Sequence, residues 1–165
     1  NVIADRYYDI LDHLNDLPIN TEGYGMIHQD AHGGNFFFDA AAEKITLFDF
    51  DDCCYGHFIY DLAMVIFYHA MWRDQDQNFM AFFLGNFFSG YRTQNRLSSE
   101  WLIGLPYFIR LREVDLYAVI QNSFTPEEIA ADGWCSRFMR GRRESIINRT
   151  PFIMFPWDKL APLFD

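Results

Sequence analysis

The side chains able to do chemistry concentrate in one stretch, His28-Gln29-Asp30-Ala31-His32-Gly33-Gly34-Asn35, with Asp49-Phe50-Asp51 a short way downstream. A carboxylate and an amide oxygen are hard ligands. Together they hold a magnesium-type cation while leaving coordination positions for water and phosphate oxygens. A further carboxylate beside them can accept the proton of an attacking hydroxyl. That set suits phosphoryl transfer, where most of the catalysis is positioning and charge stabilisation. Two other readings stand beside it. His28, Asp30 and His32 together have the ligand types of a metal-dependent hydrolase. Asp and Asn also favour turns for purely local reasons.

The elements around these residues decide whether they can meet. Strand-like runs at 35–39 and 44–50 flank an Ala-rich link centred near Ala42, which pairs Asn35 with Asp49 across a hairpin. Directly opposed residues have Cβ atoms about 4.5–5.5 Å apart, so the two oxygen ligands are expected side by side. Asp30 precedes Asn35 on a short polar loop, after a buried strand over 24–28. Asp51 is open to three roles, a second metal contact, a substrate contact or a solvated loop carboxylate, and Asp52 is the weaker candidate of the two.

The remaining chain reads as helical. Ile3, Tyr7, Ile10, Leu11, Leu14 and Leu17 recur at helical spacing over 3–17. Residues 58–71 are apolar almost all round, the mark of a helix buried on every side, with His69 as a satisfied core residue. A Phe stripe over 76–91 is core packing. Pro106 opens a helix running to about 121. Thr125-Pro126-Glu127-Glu128 places a cap, an N1 proline and an N3 acid at the start of a helix expected to reach about Asn148. The tail with Pro151, Pro156 and Pro162 is expected to wrap the surface. Arg137, Arg140, Arg142, Arg143 and Arg149 read as a solvated or ion-paired helix end, with phosphate sensing as the minor alternative.

Composition narrows the function classes. The net charge of −10 falls entirely within residues 1–61, where Arg6 and Lys44 are the only bases. No basic surplus exists for nucleic acid, and an acidic third suits divalent metals or a cationic substrate. No apolar run reaches the length of a membrane span. The three cysteines, two of them adjacent as Cys53-Cys54, form no disulfide framework or zinc motif, which points to a reducing, cytoplasmic setting. Cys53 and Cys54 are expected to be buried small hydrophobes. The chain opens on Asn1 with no signal peptide and reads as a single-domain piece of a longer protein.

The run H-x-D-x-x-x-x-N followed by D-F resembles the catalytic and metal-binding motifs of protein kinases. With Gly34-Asn35 after His32, and Asp61-Leu62-Ala63 downstream, residues 24–64 are more similar to the aminoglycoside phosphotransferase and choline kinase superfamily. The resemblance implies an α+β, mostly helical lobe, the C-terminal half of a protein-kinase-like phosphotransferase, with a small hairpin carrying the metal site. It implies Asp30 as catalytic base, Asn35 and Asp49 as ligands of Mg-ATP, His28 as a residue shaping the loop, and Asp61 as the acceptor of loop N–H groups. The substrate would be a small molecule with a hydroxyl, aminated or cationic in the manner of an aminoglycoside, choline or an amino sugar. Gln29 departs from the Gly or Arg usual between His and Asp. No glycine-rich G-x-G-x-x-G or strand lysine occurs, since Lys44 and Lys159 are the only lysines. The nucleotide-covering lobe is therefore expected outside this sequence, leaving a chain inactive alone and prone to self-association through the uncovered face. A non-catalytic binding protein of the same fold is the competing class.

Overall fold

The computed structural model describes residues 1–72, 76–96 and 98–164, a mostly helical α+β arrangement with two small antiparallel sheets. Helix α1 (Val2–Asn15) starts at Asn1, whose Oδ1 accepts from the Ile3 N–H and so satisfies one of the open donors of the first turn. Strand β1 (Tyr24–Ile27) is followed by the hairpin strands β2 (Phe36–Asp39) and β3 (Lys44–Leu47), and then by β4 (Cys54–His57). β1 pairs with β4, from Tyr24↔His57 to Ile27↔Cys54, so the β2–β3 hairpin is nested inside the connection of an outer pair. β4 has no separate signal in the sequence, because Cys-Tyr-Gly-His runs straight into the helix that follows.

The nesting positions the site. Residues 28–35 and 48–53 are the two strands of connection between the outer and inner ladders, and both leave the same ladder ends. The inner register differs by one from the sequence reading. Phe36 opposes Leu47 and Asp39 opposes Lys44, while the Phe48 N–H donates to the Asn35 carbonyl at 3.0 Å. Asn35 therefore faces Phe48 and not Asp49. The cause is the link: Asp39 Oδ1 accepts from the N–H groups of Ala41 and Ala42, and Glu43 turns at φ 50°. That Asx turn sets an even-numbered loop, which shifts the pairing by one residue.

Behind the sheets lies α2 (Phe58–Trp72), whose Ile59, Ala63, Met64, Ile66 and Phe67 have no exposed surface. Burying a side chain such as Ile66 or Phe67 stabilises the fold by about 1.5–3 kcal/mol each. α2 packs on α4 (Leu105–Ser123), which α1 also covers. α3 (Gln77–Tyr91) buries Met80, Leu84 and Phe88, and its half-buried Phe79, Phe83 and Phe87 stack in a row. The burial of α2 is incomplete at its end. His69 is exposed and stacks on Phe83, with ring centroids 4.2 Å apart, so it is a surface residue and not part of the core.

The single helix expected over 126–148 is three: α5 (Pro126–Ala131), α6 (Gly133–Met139) and α7 (Arg142–Ile147). Asp132 ends the first and caps the second, its Oδ1 accepting from Trp134 and Cys135 N–H groups. Gly141, at φ 64°, breaks the second from the third. The tail is also more than a wrap. Phe152, Ile153, Leu160 and Phe164 are buried, and Trp157–Leu163 forms a 3-10 turn. Among the described residues no helix is long and apolar enough to cross a membrane.

Candidate active site

The loop after β1 is held from below by one carboxylate. Asp61, in the first turn of α2, accepts from the His28 N–H through Oδ2 and from the Gln29 N–H through Oδ1, each at 2.8 Å. An acid there is favoured by the helix dipole as well as by the two bonds. The bonds hold Gln29 at φ 67°, in the left-handed region where a side chain is strained. A glycine at this position would have no such strain. The Gln29 side chain reaches the exposed Cys54, whose Sγ–H donates to Oε1 at 2.7 Å. Cys53 and Cys54 are both exposed, contrary to the sequence reading, because the turn after Phe50 carries them over the site and not into the core.

His28 is 5 % exposed and both of its ring nitrogens are occupied. Nε2 meets the Phe48 carbonyl at 2.9 Å, and Nδ1 accepts from the Asp30 N–H at 3.3 Å. The accepting Nδ1 assigns the proton to Nε2, so the ring bridges the two connections and ties residue 48 to the loop after β1. A ring so committed is not available to a metal, which counts against a hydrolase centre on His28, Asp30 and His32. Among the described residues no group of three or more His, Cys, Asp or Glu side chains is arranged to hold a metal ion.

Asp30 lies at the centre of a small network. Its Oδ1 accepts from Arg112 Nη2 at 3.1 Å. Its Oδ2 meets His32 Nε2 at 3.3 Å and accepts from Asn35 Nδ2 at 3.2 Å. The Gly34 N–H donates to His32 Nδ1 at 2.9 Å, which makes Nε2 the protonated nitrogen and His32 a donor to Asp30. Gly34 leaves room for this ring, since a Cβ at that position would come 2.6 Å from it and push His32 aside. Asn35 is buried and its amide nitrogen is committed to the Asp30 carbonyl and carboxylate. The end of the amide that a cation could meet is therefore its oxygen.

Asp49, Asp51 and Asp52 lie on the second connection, all exposed. Asp49 sits at φ 65°, just past β3, where the chain leaves the strand. None of the three makes a side-chain hydrogen bond or ion pair with the described residues, which leaves their oxygens open to solvent or a ligand. The arginine cluster divides. Arg142 pairs with the buried Glu113 of α4 at 2.8 Å, and Arg149 pairs with Asp9, while Arg137, Arg140 and Arg143 are exposed. Burial holds the Glu113 carboxyl above the ordinary carboxylate range, opposed by Arg142.

Arg112 is the residue that sequence reasoning missed. It sits on α4, far from the motif in sequence, and a signal for it did exist. Arg110, Arg112, Glu113 and Asp115 are charges inside a largely apolar helix, and buried charges require partners. Beside this network a cleft of about 560 Å³ is lined by His32, Gly33, Gly34, Tyr68, Trp72 and Trp134, among others. Its size is that of a small-molecule site.

A helical lobe that presents an acid, an asparagine and a hairpin carboxylate on nested connections has the architecture of the C-terminal lobe of a kinase-like phosphotransferase. Residues 2–101 match the APH phosphotransferase enzyme family, and the chain belongs to that family. It is 33% identical to an amicoumacin kinase of Bacillus subtilis (strain 168) over 157 residues, 92% of this chain and 45% of that protein. It is also similar to the solved structure of amicoumacin kinase hAmiN in complex with AMP-PNP, Ca2+ and Ami. There the TM-score is 0.84 at 29% identity, over 96% of this chain and 48% of that one. The chain thus spans about half the length of the relatives it matches.

Proposed function

We propose that this chain supplies the catalytic base and the metal-binding residues of an ATP-dependent phosphotransferase that acts on a hydroxyl of a small molecule. The observation that carries the reading is the Asp30 carboxylate, hydrogen-bonded by Asn35, His32 and Arg112 beside an aromatic-walled cleft. Family membership supports the reaction class. In this reading the acceptor lies in the cleft. Its hydroxyl hydrogen passes to Asp30, its oxygen takes the γ-phosphoryl group, and ADP leaves. His32 and Asn35 hold the carboxylate at a fixed angle, so little reorganisation is needed when the proton moves.

Asn35 and Asp49 would hold the divalent cation, with Asp51 as a further contact. The donor set fits, because it combines an amide oxygen and a carboxylate with an exposed, water-accessible flank. A bound cation supplies charge neutralisation at the phosphate oxygens. The family relatives bear on the ligands only by analogy: the hAmiN complex contains a nucleotide analogue, Ca2+ and the small molecule Ami. We read magnesium and ATP as the natural counterparts here. The acidic excess of the first 61 residues supports an aminated acceptor.

The glycine-rich cover and strand lysine that orient phosphates do not occur in this sequence, so the chain is read as the floor of the cleft, a single catalytic lobe. A coupled ADP-release assay on the full-length protein, with Mg-ATP and a panel of hydroxylated amines, tests the reading. The expected result is acceptor-dependent ADP release with a phosphomonoester signal by phosphorus NMR. ATP turnover that no acceptor stimulates, with no phosphomonoester formed, would overturn it.

A further inference from the structure

Asp30 does not hold its position through its own loop alone, and the support comes from the opposite side of the core. Arg112 projects from α4 with its side chain 19% exposed. One guanidinium nitrogen, Nη2, bonds both Asp30 Oδ1 and the Tyr68 hydroxyl of α2. The guanidinium also lies over the Tyr68 ring, 5.4 Å from its centroid. Its Nε is buried without an acceptor. A cation installed for the stability of α4 would be expected to use its donors more fully. This one leaves a donor unmet and aims a single nitrogen at the base. Each carboxylate oxygen accepts along two in-plane directions. Oδ2 already receives His32 and Asn35, whereas Oδ1 receives only Arg112, so the open direction for an acceptor hydroxyl is on Oδ1, beside Arg112.

We propose that Arg112, anchored by Tyr68, is a positioning residue for the reaction: it fixes the Asp30 carboxylate plane, so that the second direction on Oδ1 faces the acceptor hydroxyl. The inference rests on the reading of Asp30 as the base. The charged and titratable groups facing the guanidinium are few. They are Asp30 from the loop, Tyr68 and Tyr60 from α2, and Asp115 on α4 itself, with Tyr7 of α1 facing Asp115. Burial raises the tyrosines, so they stay neutral around neutral pH. Asp30 is thus the carboxylate that Arg112 touches directly, and Arg112 is the permanent cation that touches Asp30, the other contacts being a neutral amide and an imidazole.

The test is steady-state kinetics of the full-length protein, separating kcat from KM, with Arg112→Met, Arg112→Lys, Tyr68→Phe and Asp30→Asn compared. Arg112→Met is expected to lower kcat by roughly 10- to 100-fold, a share of the general-base contribution, with KM for ATP little changed. Arg112→Lys should restore only part of kcat, and Tyr68→Phe should lower kcat with KM for ATP in place. If Arg112→Met does not fold, as judged by circular dichroism and a melting curve, the Lys and Phe variants carry the comparison alone. An undiminished kcat in Arg112→Met, a loss in that variant confined to KM, or a Tyr68→Phe enzyme identical to wild type, would overturn the proposal. An Asp30→Asn enzyme with undiminished turnover would instead remove the reading beneath it.

Discussion

Asp30 is one side chain among several acids, and what separates it from the rest is that its donors are all fixed by other parts of the fold. His32 is oriented by the Gly34 N–H, Asn35 by its burial and Arg112 by Tyr68. Asp30→Asn should leave folding intact, since Asn keeps the size and one acceptor, and should lower kcat by roughly 10²–10⁴-fold, the usual span of a general base. Steady-state kinetics beside a melting curve separates the two effects. Gln29 makes the opposite case. Its φ of 67° is held by Asp61, while its own side-chain bond is to a weak thiol donor. Gln29→Gly is expected to stabilise the chain by about 1 kcal/mol through relief of left-handed strain. Urea unfolding measures this directly, and a loss of stability would show that the Cys54 contact outweighs the strain.

At the scale of elements, the core helices and the hairpin were legible because their signals are local. The near-continuous apolar run of α2 and the Pro-plus-cap start of α5 each state their own structure. Features that depend on a single local choice were not legible. The Asx turn at Asp39 moved the hairpin register by one, and Gly141 and Asp132 cut one expected helix into three. Tertiary pairing was invisible for a different reason. Nothing near the motif announces Arg112, and β4 exists only because β1 is there to pair with it. The same holds for Glu113 and Arg142, which join α4 to α7 across the core. Arg142 lies over the rings of Phe138 and Phe152, 4.8 and 4.7 Å from their centroids, so it is held by packing as well as charge. Removing one partner strands the other, and Glu113→Ala should cost about 3–5 kcal/mol, whereas Glu113→Leu with Arg142→Met should recover most of that loss. The pH dependence has a definite sign. Burial raises the Glu113 carboxyl, so the folded chain binds that proton more tightly than the unfolded one. Stability relative to Glu113→Gln should therefore fall as pH rises above the ordinary carboxylate range. A difference that grows with pH would mean that Arg142 outweighs burial.

For the molecule as a whole, the two sheets are the incomplete part. The helical core is closed around α2 and α4, yet Met26, Phe37, Phe38, Ile45 and Tyr55 on the strands are each 60–70% exposed. A two-stranded hairpin is marginal without something packed on it, and bare strand edges invite pairing. Large apolar side chains gathered on such strands mark a surface that another body covers. In the proposed enzyme that body is the nucleotide-covering part, and in its absence a second copy of the chain is the available substitute. The isolated 165-residue chain is therefore expected to fold through its helices, to self-associate, and to show little or no phosphoryl transfer, because water exclusion and phosphate orientation are missing. Sedimentation velocity across a concentration series reads the association, and Phe37→Lys with Ile45→Glu, both on exposed strand positions, should return the chain toward monomer without lowering its melting temperature. Calorimetry with Mg-ATP and the coupled assay read the other half. A chain that is monomeric at all concentrations would show that the strand face needs no cover. Turnover equal to that of the full-length protein would show that these residues already enclose a complete nucleotide site.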